Sequence, residues 1–448
     1  AVNQGWMCDK GRYNFEYLNS DSRLKTPLKM MDNELVEIEI QDVYSELTEF
    51  IKDRQTKVNF LLGSNLTNED YVAFREFSKT ISQTETSFYL NDDLLYKGFF
   101  GDNIELAKID DLNSSDAIVV WAEDLKEKLP VLYLRIRQAV KNGVKLVVFG
   151  HTNETLSDIA DVFYGKDMVS ENFEILKDLS KMKEINNLVM GKNITAILGK
   201  STPFQSDESV TKLFEFLNSN ANSKVLNAYS KGNTYGAFQT LENLKGLNDF
   251  VNDISKDNTD LLFIVGADPI GRSVYSNQIK SIIKSINTVV TLDNFNHETS
   301  ELSDYVVPIS STLGEKEGTF TNIEFRTSRI EKLVPSPGQT VSDWEFITSL
   351  MNFAGLKAET NSLEGLNRKA YENLDSSLSP VFDNLDKPSN LDGMINISKP
   401  KISSLENKLN KTMFFTGEKL YGDSATERHS DSISMLGSKK FIEVSESV

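Results

Sequence analysis

The chain has 448 residues, 39% hydrophobic and 25% charged, which suits two or three water-soluble domains. Its formal charge of −18, with 66 acids against 48 bases, argues against nucleic acid and against an anionic membrane surface as partners. A single cysteine, Cys8, excludes an internal disulfide and fits a reducing compartment, and no apolar run approaches the roughly 20 residues that a bilayer crossing needs.

The first residues, "AVNQGWMCDKGRY", contain no apolar core of a signal peptide. "NSDSRLKTPLKM" clusters Asn, Ser and Asp ahead of a proline and reads as an irregular connection. "ELVEIEI" alternates with period two and reads as a strand with one wet face, and "VYSELTEFIKDR" as an amphipathic helix. From there strand and helix alternate. "KVNFLLGS" is a strand running into a Gly-Ser turn. "TNEDYVAFREFSKTI" is a helix with Thr67 or Asn68 as its N-cap, and Glu69 and Asp70 in its first turn suit the helix dipole.

"DAIVVWA" and "VKLVVFG" are buried strands on either side of "PVLYLRIRQAVKNG", a helix with Pro130 near its start and Gly143 past its end. "NITAILG", "ESVTKLFEFLNSN", "DLLFIVGADP", "NQIKSIIKSI" and "TVVTLDNF" continue the alternation. Apolar runs without polar alternation mean strands covered on both faces. The architecture is therefore α/β with parallel sheets in two lobes. After "DWEFITSLMNFAGL" the pattern fades. Residues 357–410 are rich in Asn, Ser, Asp and Lys and read as a linker or a loosely packed helical excursion.

Few motifs carry chemistry on their own. "GKNITAILGKS" fails as a phosphate loop, because seven residues rather than four separate Gly191 from Gly199. "VGADPIG" lacks the dinucleotide glycine order, yet it sits where a parallel strand ends, the place where open α/β sheets bind ligands; binding loop and plain turn both remain open there. "GEKEGTFTN" offers Glu315, Glu317, Thr319, Thr321 and Asn322, either as the lining of a polar pocket or as a fixed turn that closes a domain. His151, His297 and His429 show no triad pattern and read as surface or capping residues. A lone cysteine such as Cys8 is usually a small buried hydrophobe, although here Lys10 and Arg12 stand beside it.

Taken in order, "CDKGR" from Cys8, Arg23 to Leu28, Gly63 to Asp70, "DAIVVWAEDLKEKLPVLYLRIRQAVKNGVKLVVFG", "VGADPIG" and "NFNHETSELSDYVVPISSTLGEKEGTFTN" resemble the molybdopterin oxidoreductase superfamily. Within it the chain looks most like the large iron–sulfur (G) subunits of NADH-quinone oxidoreductases, respiratory complex I. The resemblance covers most of residues 1–355. It implies an α/β fold of two lobes with largely parallel doubly wound sheets and an irregular C-terminal linker. Residues 1–55 would end an iron–sulfur subdomain and lead into the body. Residues 56–95 and 225–356 would form one lobe and 96–224 an inserted second. Residues 357–410 would be the linker, and 411–448 the start of a C-terminal domain.

The same resemblance makes Cys8 the fourth ligand of a [4Fe–4S] cluster whose other three cysteines lie upstream of this chain. Four thiolates are the usual requirement, so this chain is not expected to hold the cluster alone. Lys10, Gly266, Asp268, Gly271, Glu317, Gly318, Thr319 and Asn322 become vestigial pterin-pocket positions. Molybdopterin itself is not expected: there is no second cysteine, and Phe325 puts a ring where close backbone approach would need glycine. The implied role is a non-catalytic body that helps carry electrons from NADH toward quinone. It would contact other peripheral-arm subunits on the cytoplasmic face of the inner membrane, with no insertion into lipid. The alternative is a catalytic molybdopterin enzyme such as a formate dehydrogenase.

Overall fold

Apolar runs that lack polar alternation become strands buried on both faces in two separate sheets. The computed structural model describes residues 5–52, 55–81, 86–92, 105–121, 124–150, 155–165, 179–199, 216–217, 220, 222–273, 275–324, 326–371, 421 and 424–437. The first sheet holds β1 (Leu28–Met31), β2 (Glu34–Glu37), β3 (Val58–Leu62), β4 (Phe88–Leu90), β11 (Leu261–Val265), β12 (Thr288–Asp293) and β13 (Tyr305–Pro308), in the order β2-β1-β13-β12-β11-β3-β4. Its strands run parallel from β13 to β4, with Phe60 opposite Phe263. The second sheet is wholly parallel. It contains β5 (Glu105–Leu106), β6 (Ala117–Trp121), β7 (Lys145–Gly150), β8 (Val162–Gly165), β9 (Ile194–Leu198) and β10 (Ser223–Asn227), in the order β5-β10-β9-β6-β7-β8. A hairpin of β14 (Gly318–Thr321) and β15 (Thr327–Ile330) stands apart from both sheets.

Helices cover each sheet. On one face of the first sheet lie α2 (Ile40–Lys52), α3 (Asn68–Ile81) and the helix Asp343–Phe353; on the other lie Leu247–Asp253 and Ser276–Ile283. Phe60 ties strand to strand by stacking on Phe263 at 5.4 Å and on Phe88 at 5.0 Å. The start of α3 is fixed by a reciprocal cap: the Asp70 N–H donates to Thr67 Oγ1 at 3.1 Å, and the Thr67 N–H donates to Asp70 Oδ2 at 2.8 Å. Thr67, not Asn68, is therefore the cap.

Several expectations change. "SRLKTPLKM" is irregular only up to Pro27; β1 and β2 then form an antiparallel hairpin that joins the first sheet beside β13, turned by Asp32 and Asn33 at φ +51° and +68°. Residues 28–37 are thus part of that sheet and not a lead-in. The strand read from "ELVEIEI" ends at Glu37, and Ile40 begins α2. The boundary placed at 224/225 falls inside β10, all of which pairs in the second sheet. Residues 357–410 do not open as a linker: the helix Leu363–Tyr371 buries Leu366, Asn367 and Ala370, packing against α3. The remainder of that stretch, residues 372–410, lies outside the described residues, as do His151, Phe325 and most of "ESVTKLFEFLNSN". No helix among the described residues is long and apolar enough to cross a membrane.

Candidate functional site

Chain connectivity creates a crevice between β3 and β11. The chain leaves β3 for β4 on one side and β11 for β12 on the other, so the strand order reverses at that seam. A glycine follows each strand directly, Gly63 after β3 and Gly266 after β11. Gly266 turns with φ +57°, and a Cβ on Gly63 would lie 2.0 Å from the Gly266 carbonyl oxygen. Beyond the two glycines is a cavity of about 530 Å³. Its floor is Gly63–Leu66, Gly266–Asp268 and Asp293–Asn294; its other walls come from Ser230–Gly232, from Cys8, Lys10 and Asn14, and from Ser424, Thr426 and Glu427. The size is that of a small-molecule pocket.

Asp268 is held from three sides. It accepts from the Gly271 N–H at 3.1 Å and from Thr299 Oγ1 at 2.7 Å, and His297 Nδ1 stands 3.4 Å away. Gly271 is outside the cavity lining; a Cβ there would sit 2.1 Å from Asp268 Oδ2, so it closes the turn around the carboxylate. His297 is buried, not a surface residue, and its Nε2 is 3.3 Å from Asp293 Oδ2 in an ion-pair contact, not an aligned hydrogen bond. The Ser300 N–H also points at Nδ1, at 3.3 Å, which would suit a neutral ring. Two carboxylates within 3.4 Å decide for the cation: burial pulls the imidazole down, and Asp268 and Asp293 together outweigh it and hold it up at about 10. Burial would raise Asp268, yet His297, Thr299 and Gly271 keep it well below the usual carboxylate range. His429 does cap a helix, Ala425–Arg428, and stacks on Phe295 at 4.0 Å.

The "GEKEGTFTN" stretch is a fixed structural seam and contributes one residue, Lys316, to the cavity wall. Glu315 forms a fully buried bidentate pair with Arg23, at 3.0 and 2.8 Å. Lys316 is buried between Asp70, at 2.6 Å, and Asp343. Burial alone would pull the ammonium down; Asp343 and Asp70 outweigh it and hold it above the usual lysine range. Burial also raises Asp343, with Lys316 pulling it back and Asp70 pushing it further up. A Cβ on Gly318 would meet Thr67 Cγ2 at 2.7 Å, so β14 lies directly against the start of α3. Thr319 donates to Glu69 through its N–H at 2.7 Å and its Oγ1 at 2.8 Å, and Asn367 Nδ2 donates to the same carboxylate at 2.6 Å. Asn322 Oδ1 accepts the N–H groups of Glu324 and Arg326 and so closes the β14–β15 turn. Glu317 points outward, with Arg329 at 3.8 Å.

Of the nine positions singled out from the sequence, Cys8, Lys10, Gly266 and Asp268 line the cavity; Gly271, Glu317, Gly318, Thr319 and Asn322 do not. Among the lining residues that the sequence reading did not single out are Lys316, Asp293 and Glu427; the only local sign of Lys316 is a lysine between two glutamates. Cys8 caps α1 (Asp9–Tyr13) by accepting the Gly11 N–H at 3.4 Å, and Lys10 pairs with Glu427. Among the described residues, no three His, Cys, Asp or Glu side chains are grouped to hold a metal ion.

The family model for molybdopterin oxidoreductases matches residues 23–353. The chain belongs to the molybdopterin oxidoreductase family. Two curated relatives are α subunits of F420-dependent formate dehydrogenases. That of Methanocaldococcus jannaschii is 22% identical, with 79% of this chain and 65% of the relative covered. Formate dehydrogenase 2 of Methanococcus maripaludis is 24% identical, with 80% and 66% covered. The chain thus spans just under two thirds of their length. The NADH-quinone oxidoreductase G subunit of Buchnera aphidicola is 22% identical, over 74% of this chain and 42% of the relative. Among solved structures, acetylene hydratase from Pelobacter acetylenicus shares the fold with a TM-score of 0.53 at 12% identity, over 78% of this chain and 64% of that one.

The family name implies a molybdenum-bearing pterin, an anionic cofactor. Of the four lysines that line this cavity, Lys10, Lys128, Lys231 and Lys316, two are neutralised by carboxylates of the chain, Lys10 by Glu427 and Lys316 by Asp70 and Asp343. With Cys8 the only thiol in 448 residues, and set on α1, the body of this family member supplies no thiolate of its own for the metal. The residues do not fit a thiolate-held molybdenum pterin.

Proposed function

We propose that this chain is the body of a large iron–sulfur subunit of a proton-pumping NADH-quinone oxidoreductase, with a frame role and no molybdenum chemistry of its own. The observation that carries this reading is the pairing of both Lys10 and Lys316 with carboxylates of the same chain at the cavity wall. An anion site adapted to hold a cofactor keeps its cations available; here Lys10 and Lys316, two of the four lysines that line the cavity, are paired within the chain. In this reading Cys8 completes a [4Fe–4S] cluster with three cysteines supplied from upstream of the chain, and electrons from NADH pass through such clusters toward quinone. The partners are other peripheral-arm subunits, and the location is the cytoplasmic face of the inner membrane.

The test is metal and pterin analysis of the intact protein purified from its native source. The expected result is iron and sulfide without stoichiometric molybdenum, tungsten or pterin, together with co-purifying NADH-oxidising subunits. One equivalent of molybdenum with its pterin would overturn it. A catalytic formate dehydrogenase is the second reading. It is favoured by the methanogen relatives, which match over 65–66% of their length against 42% for the NADH-quinone oxidoreductase relative. Formate-dependent dye reduction by the same preparation would select it.

A further inference from the structure

One wall of the cavity is built from residues more than 400 positions apart. Ser424, Thr426 and Glu427 face Cys8, Lys10 and Asn14 across it. The contact is almost entirely polar. Asn14 Nδ2 donates to Thr426 Oγ1 at 3.2 Å, the Tyr17 N–H to Ser430 Oγ at 3.2 Å, Ser430 Oγ to Asn14 Oδ1 at 2.9 Å, the Ser432 N–H to Glu16 Oε2 at 2.7 Å, and the Tyr421 hydroxyl to Asp9 Oδ2 at 3.1 Å. Lys10 pairs with Glu427, whose side chain is 1% exposed against 45% for the lysine. Apart from the His429 ring on Phe295, the aliphatic side chain buried fully among the described side chains of residues 424–437 is Ile433, while Met435 and Leu436 stay exposed.

We propose that residues 424–437 are a releasable strap that clamps α1 and closes one side of the cavity, with the Lys10–Glu427 pair as its latch. A seam held, among the described residues, by hydrogen bonds and the Lys10–Glu427 pair, with little apolar burial, belongs to the low end of local stability and opens without unfolding the sheets. The first sheet, by contrast, is held by wholly buried β3, β11 and β13. Glu427 also caps its own turn by accepting the Ser424 N–H at 3.3 Å, so the latch and the strap's local helix form together. Opening would admit solvent and ligand to the cavity from the side of Lys10. This holds whether or not the cavity takes a pterin, and so does not rest on the proposed function.

The test uses Cys8 as a built-in probe, since it is the only thiol of the chain and lines the same cavity. In the 448-residue chain, the rate of Cys8 labelling by a maleimide and hydrogen exchange are compared for the wild type, Lys10→Met and Glu427→Gln, with Arg368→Gln, which removes an exposed ion pair with Glu364, as control. Either latch variant should raise labelling by roughly two- to fivefold, the shift that loss of one partly exposed ion pair gives an opening equilibrium. Exchange should rise in residues 8–19 and 424–437 while β3 and β11 stay protected, and the control should change neither. Unchanged labelling and exchange in both latch variants would overturn the proposal. So would an equal rise in β3 and β11, which would make the contact part of the core.

Discussion

Lys316 Nζ lies 2.6 Å from Asp70 Oδ2, with both side chains buried, where the β14 hairpin meets the first turn of α3. Asp70 is already engaged by the N–H groups of Thr67 and Trp344, whereas Asp343 Oδ1 has no hydrogen-bond partner among the described residues. Asp343 is therefore the surplus charge of the group. Lys316→Met should destabilise the fold by about 3–5 kcal/mol, because it strands two buried carboxylates. Adding Asp343→Asn should recover part of that loss. Urea unfolding of the single and double variants measures both.

His297 gives the stability a pH signature. Its ordinary value is 6.5 and the fold holds it at about 10, so the folded chain keeps a proton that the unfolded chain releases. The stabilisation is complete below 6.5 and is lost as pH rises through about 10. Asp268 acts at the other end: held below its ordinary 3.8, it contributes above that value and loses its contribution as pH falls. Thermal unfolding across the alkaline window should show Tm falling with pH in the wild type and falling less in His297→Gln.

Gly63→Ala should cost about 3 kcal/mol, since the new Cβ would sit 2.0 Å from the Gly266 carbonyl oxygen and force β3 from β11. Gly143→Ala makes the comparison: φ is +102° there and nothing lies within 4 Å, so only backbone strain remains, about 1 kcal/mol. Differential scanning calorimetry of the two variants should rank them in that order.

Glu69→Gln is isosteric but should not be neutral. Both Glu69 oxygens accept from donors, the Thr319 N–H and Oγ1 and Asn367 Nδ2. An amide nitrogen would turn one acceptor into a donor facing a donor, costing about 1–3 kcal/mol. Burial already raises the carboxyl of Glu69 against the pull of those donors, so its ionised form rests on them. Hydrogen exchange should rise first in residues 363–371, which hang on this carboxylate through Asn367.

Much of the framework was legible in the sequence because burial writes itself locally. "KVNFLL", "AIVVW", "LVVF", "ITAIL", "LLFIV" and "TVVTLD" each became a strand, since a run without polar alternation suits only a position covered on both faces. Gly266 was readable as a residue just past a parallel strand's end, where the structure places a cavity wall, and Cys8 excluded disulfides by number alone. Where a residue's partner is distant, the local pattern is silent. "SRLKTPLKM" has turn chemistry up to Pro27, and only the open edge of β13 makes its end a strand. Lys316 resembles any solvated lysine between glutamates until Asp70, 246 positions away, and Asp343 close over it. His297 looks like a capping residue until β11 and β12 bring Asp268 and Asp293 to its two nitrogens. Element type follows from the period of burial, which a short window contains. Which charges meet follows from how the elements cross, and that is settled only when the two sheets and their helices are assembled.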